Sequence, residues 1–492
     1  MQSKDNYKDS FKSTILFTGV QIFQIVVRVV RSKFIAVLLG PSGMGITSLL
    51  RSTTDLVGAT TNLGLRTSGV KSVAAVRDIE DKGQLEKTMA VLRRLILLTG
   101  VLGTIICAVL SPFWSQQSFG NYDYIWSFIG VSIIILVDQV NQGEIALLQG
   151  LQQRRMLAKA NVIGQTAGLV LTIPLYYLWG VKAIVAVFVL SSFYTLAITS
   201  YFVRKLHIKR VHVSLEETIV IGREMVKLGL LLSVQHFLSQ GSVYLVRNYV
   251  SLTGGLEQVG LYSAGTTIIS TYLGLVFTAM TTDYFPRLAA TKSIDEMSNV
   301  IRSQAEIALL MFAPIIVAFV VFIKPVVLIL YSEKFISTES MLYWAMSGTL
   351  IKAMAWSLSY SILAKASAKV FFTNEVISII YTFIFNIYGY KYFGLAGFGI
   401  SMLISYTLYL IQMHIMATRY FRFSFGKELW ILFIILTIIV NSSLVIKIML
   451  PKFLGYTAGC LLLVVSSLYS FYLLDKKMDI KNLLFKKISR NG

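Results

Sequence analysis

The chain has 492 residues, of which 55% are hydrophobic and only 14% charged, and it carries a formal charge of +21. Soluble domains average about 25% charged residues, so a string of soluble domains is excluded. Apolar stretches of about 20 residues recur from end to end instead, the length that crosses a bilayer as helix.

Fourteen spans are predicted, near 13–37, 46–69, 89–112, 123–149, 156–178, 182–203, 224–249, 257–285, 304–331, 339–363, 368–389, 394–418, 428–449 and 455–474. The fold class is an all-α polytopic membrane protein. The first apolar run begins near Ile15, is too long for a signal-peptide core and lacks a small-residue cleavage site, so it is expected to remain as the first span. Lys and Arg divide 32 to 6 between the two sides of this layout, with 7 inside spans. The basic excess therefore reports orientation, with both termini in the cytoplasm, rather than a nucleic-acid partner.

The first span, containing "QIFQIVVRVVRSKF", places Gln21, Gln24, Arg28 and Arg31 at spacings of 3, 4 and 3, one stripe of a helix. A cation at mid-span costs about 2.5–3.5 kcal/mol on insertion scales, so such residues face protein or water. In the second span Arg51, Asp55, Gly58, Asn62 and Arg66 again form one stripe. Asp55 lies one turn from Arg51, as a counter-charge in a structural pair or as part of a pathway. Lys33, Arg66 and Arg93 stand close enough to span ends to snorkel.

The fourth span carries Asp138, Asn141, Gln142 and Glu144. Asp138 and Glu144 are candidates for proton or sodium coupling, and equally for counter-ions or helix-packing groups. The basic stretch "RKLHIKRVHVSLEET" follows the sixth span, and the seventh then presents His236, Gln240 and Arg247 at spacings of 4 and 7. Lys352 and Glu375, in the tenth and eleventh spans, are expected to pair with each other. Pro174 and Pro314 mark bending points. The tail "DKKMDIKNLLFKKISRNG" reads as a solvated or headgroup-facing end.

At an offset of 215, "GPSGMGIT" (40–47) falls on "GLEQVGLY" (255–262) and "VKSVAAVRDIED" (70–81) on "FPRLAATKSIDE" (285–296). Spans 1–6 and 7–12 thus form parallel repeats, as many transporters do around a pathway. The expected domains are a lobe at 1–203, a linker at 204–223, a second lobe at 224–418, and two extra spans with a basic tail at 419–492. Arg28, Arg31, Arg51 and Arg247 against the single Asp55 predict a net positive, water-filled cavity for a phosphate-bearing substrate, since guanidinium matches phosphate oxygens. Gln21, Gln24, Asn62, His236 and Gln240 would line it.

No GxxxxGK[ST] motif occurs, and the longest polar connection is about 20 residues, too short for a catalytic domain, so an enzyme is not expected. Cys107 and Cys460 lie in apolar spans, and the four histidines show no ligand spacing, so no metal or other cofactor is expected beyond a gradient ion. A polysaccharide polymerase or ligase would need a large outward loop, which the short outward connections do not supply.

Four segments in order, "SKFIAVLLGPSGMGITSLL", "LLQGLQQRRMLAKANVIG", "EQVGLYSAGTTI" and "TTDYFPRLAA", resemble the Wzx-type O-antigen and oligosaccharide flippases of the multidrug/oligosaccharidyl-lipid/polysaccharide exporter superfamily. The resemblance covers most of residues 11–420. It implies two six-helix lobes around a central cavity, plus two extra helices. It also implies flipping of a polyprenyl-pyrophosphate-linked glycan, an O-antigen unit of lipopolysaccharide or similar, across the bacterial inner membrane, with a polymerase and chain-length proteins as partners. Arginines on the first helices of each lobe meet the pyrophosphate in that family; Arg31 and Arg51 occupy such positions, and Arg247 matches more loosely. A cation-coupled multidrug exporter is the alternative, for which carboxylates and aromatics rather than arginines should line the cavity.

Overall fold

The computed structural model describes residues 2–77, 82–209, 211–365 and 368–478. Among these the regular structure is helical, in chain order α1 (Gln2–Thr61), α2 (Leu65–Val76), α3 (Lys82–Val109), α4 (Ser111–Phe119), α5 (Ile125–Gly150), α6 (Arg154–Trp179) and α7 (Ile184–Arg204). There follow α8 (Leu215–Thr267), α9 (Gly274–Ala290), α10 (Ile294–Val321), α11 (Ile323–Leu330), α12 (Glu339–Lys365), α13 (Ala368–Phe421), α14 (Lys427–Met449) and α15 (Lys452–Met478). The all-α expectation holds, and the protein is a multi-pass membrane protein. Most of the basic tail lies outside the described residues.

Among the described residues, eight helical stretches are long and apolar enough to cross a membrane. Three of them, Arg154–Arg204, Ser233–Ala290 and Lys369–Phe421, run for 51, 58 and 53 residues. At about 1.5 Å per residue these lengths exceed twice the ~30 Å hydrocarbon core, so each holds two crossings. The first, second and tenth predicted spans lie in α1 and α12, which are helical but are not among the eight.

The breaks between paired spans fall on glycines, because each break needs a left-handed residue that a side chain would strain. Gly40 and Gly255 share one conformation, φ 66°/ψ −174° and φ 81°/ψ 175°. Gly180 and Gly394 share another, φ 52°/ψ −132° and φ 57°/ψ −138°. The first pair are 215 residues apart and the second 214, so one backbone plan recurs at the offset read from the motifs.

The chain divides into two compact units, Met1–Gly260 with Leu330–Ser332, and Leu261–Ile329 with Glu333–Gly492. Within the first unit the two copies of the glycine motif pack on each other reciprocally. A Cβ on Gly45 would lie 2.1 Å from the Leu256 carbonyl oxygen, and one on Gly260 would lie 1.9 Å from that of Pro41. Adding 215 turns one contact into the other, as in a two-fold interface between identical patches. Lys33 caps a second junction of this unit by donating to the Tyr331 carbonyl.

Two apolar clusters hold the first unit together. One gathers Cys107, Phe128, Val131, Tyr176, Ile184 and Tyr244; the other gathers Leu65, Met89, Leu92, Ile96, Leu147 and Val203. The 205–214 connection closes on this second cluster through Leu206, Ile208 and Val213. It is fixed by Lys87 Nζ to Glu217 Oε1 (2.7 Å) and by Arg94 NH1 to the Val213 carbonyl (3.2 Å) and Thr218 Oγ1 (3.1 Å). Ser214 and Glu217 cap α8 reciprocally, each side chain taking the other's backbone N–H at 3.0 Å.

In the second unit α12 lies along α10 and α13, burying Met341, Met346, Leu350, Met354 and Leu358, while α10 also packs on α14 and α15. The two arms of α13 fold back at Gly394. Gly389 and Gly397 touch backbone to backbone there, and Ser401 Oγ donates to the Phe385 carbonyl at 2.6 Å. Cys107 is buried and Cys460 half-buried, both as free thiols.

Candidate membrane-embedded cavity

The 4-3-4 spacing sets Arg51, Asp55 and Gly58 along one side of the second arm of α1 and Asn62 just past its end, and that side opens into a cavity of about 470 Å³ inside the first unit. The start of α2 contributes Gly64, Arg66 and Thr67; α5 contributes Ile134, Ile135, Asp138, Gln139 and Gln142; α8 contributes Ser233, His236 and Gln240. Gly58 matters as a gap, since a Cβ there would meet nothing within 4 Å.

Arg51 is the centre of the cavity's electrostatics. Its Nε lies 3.0 Å from Asp55 Oδ1, one turn along the same helix, and its NH1 lies 3.1 Å from Asp138 Oδ2 on α5. The three side chains remain 45%, 35% and 32% exposed, so this triad faces the cavity and is not sealed in apolar core. A guanidinium carries five N–H donors, and these two ion pairs leave donors for a further acceptor. Behind the triad, Gln139 Nε2 donates to Thr61 Oγ1 (2.9 Å) and its Oε1 accepts from Thr99 Oγ1 (2.8 Å). α1, α3 and α5 are thereby locked in register beneath Asp138.

The structure gathers Arg51, Asp55, Asn62, Asp138, His236 and Gln240 of the expected residues at this cavity. It does not bring Gln24, Arg28, Arg31 or Arg247 into its lining. Gln24 is buried and Arg28 exposed, while the Gln21 side chain lies outside the described residues. Arg31 is half-buried on the first arm of α1, within electrostatic reach of Arg51 and Tyr176. Arg247 reaches α1 from α8, its NH1 donating to the Ser48 carbonyl at 3.3 Å, one turn before Arg51. The lining itself is formally balanced, with Arg51 and Arg66 against Asp55 and Asp138, where a net positive lining was expected.

Glu144 belongs to a different cavity. Its two oxygens accept Nε and NH2 of Arg93, both at 3.2 Å, a two-pronged pair spanning α3 and α5. Arg93 is thus held by a carboxylate, not snorkelling. The expected Lys352–Glu375 pair is replaced too. Lys352 Nζ lies 3.4 Å from Tyr406 Oη and 5.4 Å from the Phe277 ring centre, and Tyr409 Oη donates to Glu375 Oε1 at 2.9 Å. Gln139 and Arg93 were missed as site and pair members. A polar residue one step from Asp138 in an apolar span was the available signal for Gln139, whereas nothing in the sequence selects Glu144 as the partner of Arg93.

Among the described residues no group of three metal-ligating side chains converges. The family described as "Polysaccharide biosynthesis protein" matches residues 34–340. Similar chains include the lipid III flippase of Escherichia coli (strain K12), 20% identical over 354 residues, 70% of this chain and 82% of the relative. The lipid III flippase of Shigella flexneri matches with the same figures. Among solved structures, the lipid II flippase MurJ in an inward closed conformation superposes with TM-score 0.69 at 12% identity, covering 95% of this chain and 99% of that one. An inward-facing multidrug resistance MATE family transporter of the MOP superfamily gives 0.68 at 17% identity, covering 83% and 98%. At such identities the likeness establishes a shared fold.

Proposed function

This chain belongs to the polysaccharide biosynthesis protein family, and from that premise we propose that it is a flippase moving a polyprenyl-pyrophosphate-linked oligosaccharide, an O-antigen or similar repeat unit, from the cytoplasmic to the periplasmic leaflet of a bacterial inner membrane. Both termini lie in the cytoplasm in this reading, as the 32-to-6 division of basic residues indicates. The two repeats, spans 1–6 and 7–12, alternate access to the pathway, and a polymerase and chain-length proteins receive the product. The lipid III and lipid II flippases among its relatives support the substrate class.

The observation that carries the reading is Arg51, a guanidinium at mid-span facing a cavity on an adjustable pair of carboxylates. A pyrophosphate oxygen can take the place of Asp55 or Asp138 on Arg51, so no further cation is needed, while the pyrophosphate's own negative charge enters the cavity with it. The freed carboxylate then has a reason to accept a proton or a sodium ion, which ties substrate to gradient. Arg31, within electrostatic reach of Arg51, is the second phosphate contact, with Arg28 and Arg247 flanking; Asn62, His236 and Gln240 meet the sugar. Glu144, pinned by Arg93, is assigned to the scaffold.

The balanced lining also favours one alternative, a multidrug exporter whose cationic substrates would meet Asp55 and Asp138. Deleting the gene separates the two. A flippase deletion is expected to accumulate lipid-linked glycan in the inner leaflet and lose surface glycan, both reversed by the wild-type chain. Sensitivity to cationic drugs with surface glycan intact would establish the exporter instead.

A further inference from the structure

A second cavity of about 390 Å³, apart from the one around Arg51, opens in the first unit between α3, α5 and the 205–214 connection. Arg93, Arg94 and Lys209 supply its cations, and Glu86 and Glu144 its carboxylates. Glu144 is consumed by Arg93. Arg94 spends only NH1 on Val213 and Thr218, and Lys209 is exposed, with no hydrogen bond or ion pair among the described residues. The cavity therefore keeps an ammonium and part of a guanidinium for an incoming anion, against Glu86 alone.

Its wall continues into exposed apolar surface. Leu97 lines the cavity and begins an apolar stripe of α3 with Leu98, Val101, Leu102, Ile105 and Val109, each 43–70% exposed. From Leu97 to Val109 the stripe runs about 18 Å, taking 1.5 Å per residue, comparable with the ~15 Å hydrocarbon half of a bilayer. Cations at one end and a leaflet's depth of apolar surface beyond them match an amphiphile with an anionic head.

We propose that this cavity binds the phosphate of an anionic membrane phospholipid, its head between Arg94 and Lys209 and its acyl chains along the Leu97–Val109 stripe. The assignment stands apart from the transport reading. Because Lys209 sits on the connection that leads into α8, a bound lipid also ties that connection to α3.

The test is lipid retention by the purified full-length protein, measured by native mass spectrometry after titration with phosphatidylglycerol or phosphatidylcholine in detergent. Wild type is expected to hold one phosphatidylglycerol about tenfold more tightly than phosphatidylcholine, as about 1.4 kcal/mol of charge-assisted contact gives. Arg94→Gln and Lys209→Gln should each remove most of that preference, and Lys205→Gln, outside the cavity, none. Lys209→Gln decides the matter if Arg94→Gln loosens the connection, since Lys209 makes no hydrogen bond or ion pair among the described residues. Equal retention of the two lipids by wild type, or a preference that survives Lys209→Gln, overturns the proposal. So does displacement of phosphatidylglycerol by inorganic phosphate at equal concentration, which would make this a site for the free ion.

Discussion

The two compact units treat the charges of their spans differently, although the second also holds the ion pairs Arg287–Asp283 and Lys477–Glu306. In the first, charges meet charges and line cavities: Arg51 with Asp55 on its own helix and Asp138 on α5, and Arg93 on α3 with Glu144 on α5. In the second, Lys352 and Glu375 are met separately by tyrosine hydroxyls and an aromatic ring, and a groove of about 610 Å³ between the arms of α13 is lined mainly by the exposed side chains of Ile377, Leu408, Ile411 and Ile415. Ion pairs that share a cavity can exchange partners with an anionic guest, whereas a lone charge wrapped in aromatics cannot. The comparison thus puts ion pairs on a cavity of the first unit and an exposed apolar groove on the second.

The sharpest way to break that contrast is to remove the central cation of each unit. Arg51→Ala is expected to lower surface glycan more than tenfold in a strain lacking its own flippase, with Arg51→Lys recovering part. Its stability cost should stay near 2 kcal/mol, below the value for a fully buried pair, because the triad is hydrated. Lys352→Met should leave most of the glycan. Equal losses from both would erase the distinction between the units.

The reciprocal glycine contact gives the next largest effect. Gly45→Ala and Gly260→Ala each drive a methyl against a backbone carbonyl that has no rotamer to escape through, so each should destabilise by about 1–3 kcal/mol. The two losses should be similar, because offset symmetry makes the contacts equivalent. Gly58→Ala, which meets nothing, should change the melting temperature little. Melting curves of the three purified variants, with unlike values for Gly45→Ala and Gly260→Ala, would refute the symmetric packing.

The smallest effect tests the connection between α7 and α8. The hydrogen bond from Lys87, with that from the Ser214 backbone, holds the Glu217 carboxyl below the usual carboxylate range. A carboxyl lowered on folding adds stability above its unfolded pKa and loses it as pH falls through the folded one. Wild type should therefore melt slightly above Glu217→Gln at pH 7, and the gap should close below pH about 4. A gap independent of pH would assign the effect of Glu217 to packing.

Helix positions, the polar stripes of α1 and the 215-residue repeat were legible in the sequence because each rests on local periodicity or on glycine at a break. Asp55 as a partner of Arg51 was legible for the same reason, since a separation of four residues fixes proximity within a helix. Asp138 as the second partner, Arg93 as the partner of Glu144 and the separation of Lys352 from Glu375 were not. Each depends on which faces of two distant helices meet. The expected positive lining failed on that point, because counting arginines by span ignores carboxylates arriving from another helix.

The sequence by itself determined that this chain lives in a bilayer, how its helices repeat and which residues are too polar to face lipid. Those facts follow from transfer free energy and from the 3.6-residue turn, which act on neighbouring residues. Only the tertiary structure decided which charges neutralise one another and which keep donors for a guest. Pairing across the fold is set by packing between distant segments, as in Arg247 and Ser48, 199 residues apart, and Lys33 and Tyr331, 298 apart, and packing over such distances leaves no mark on local pattern.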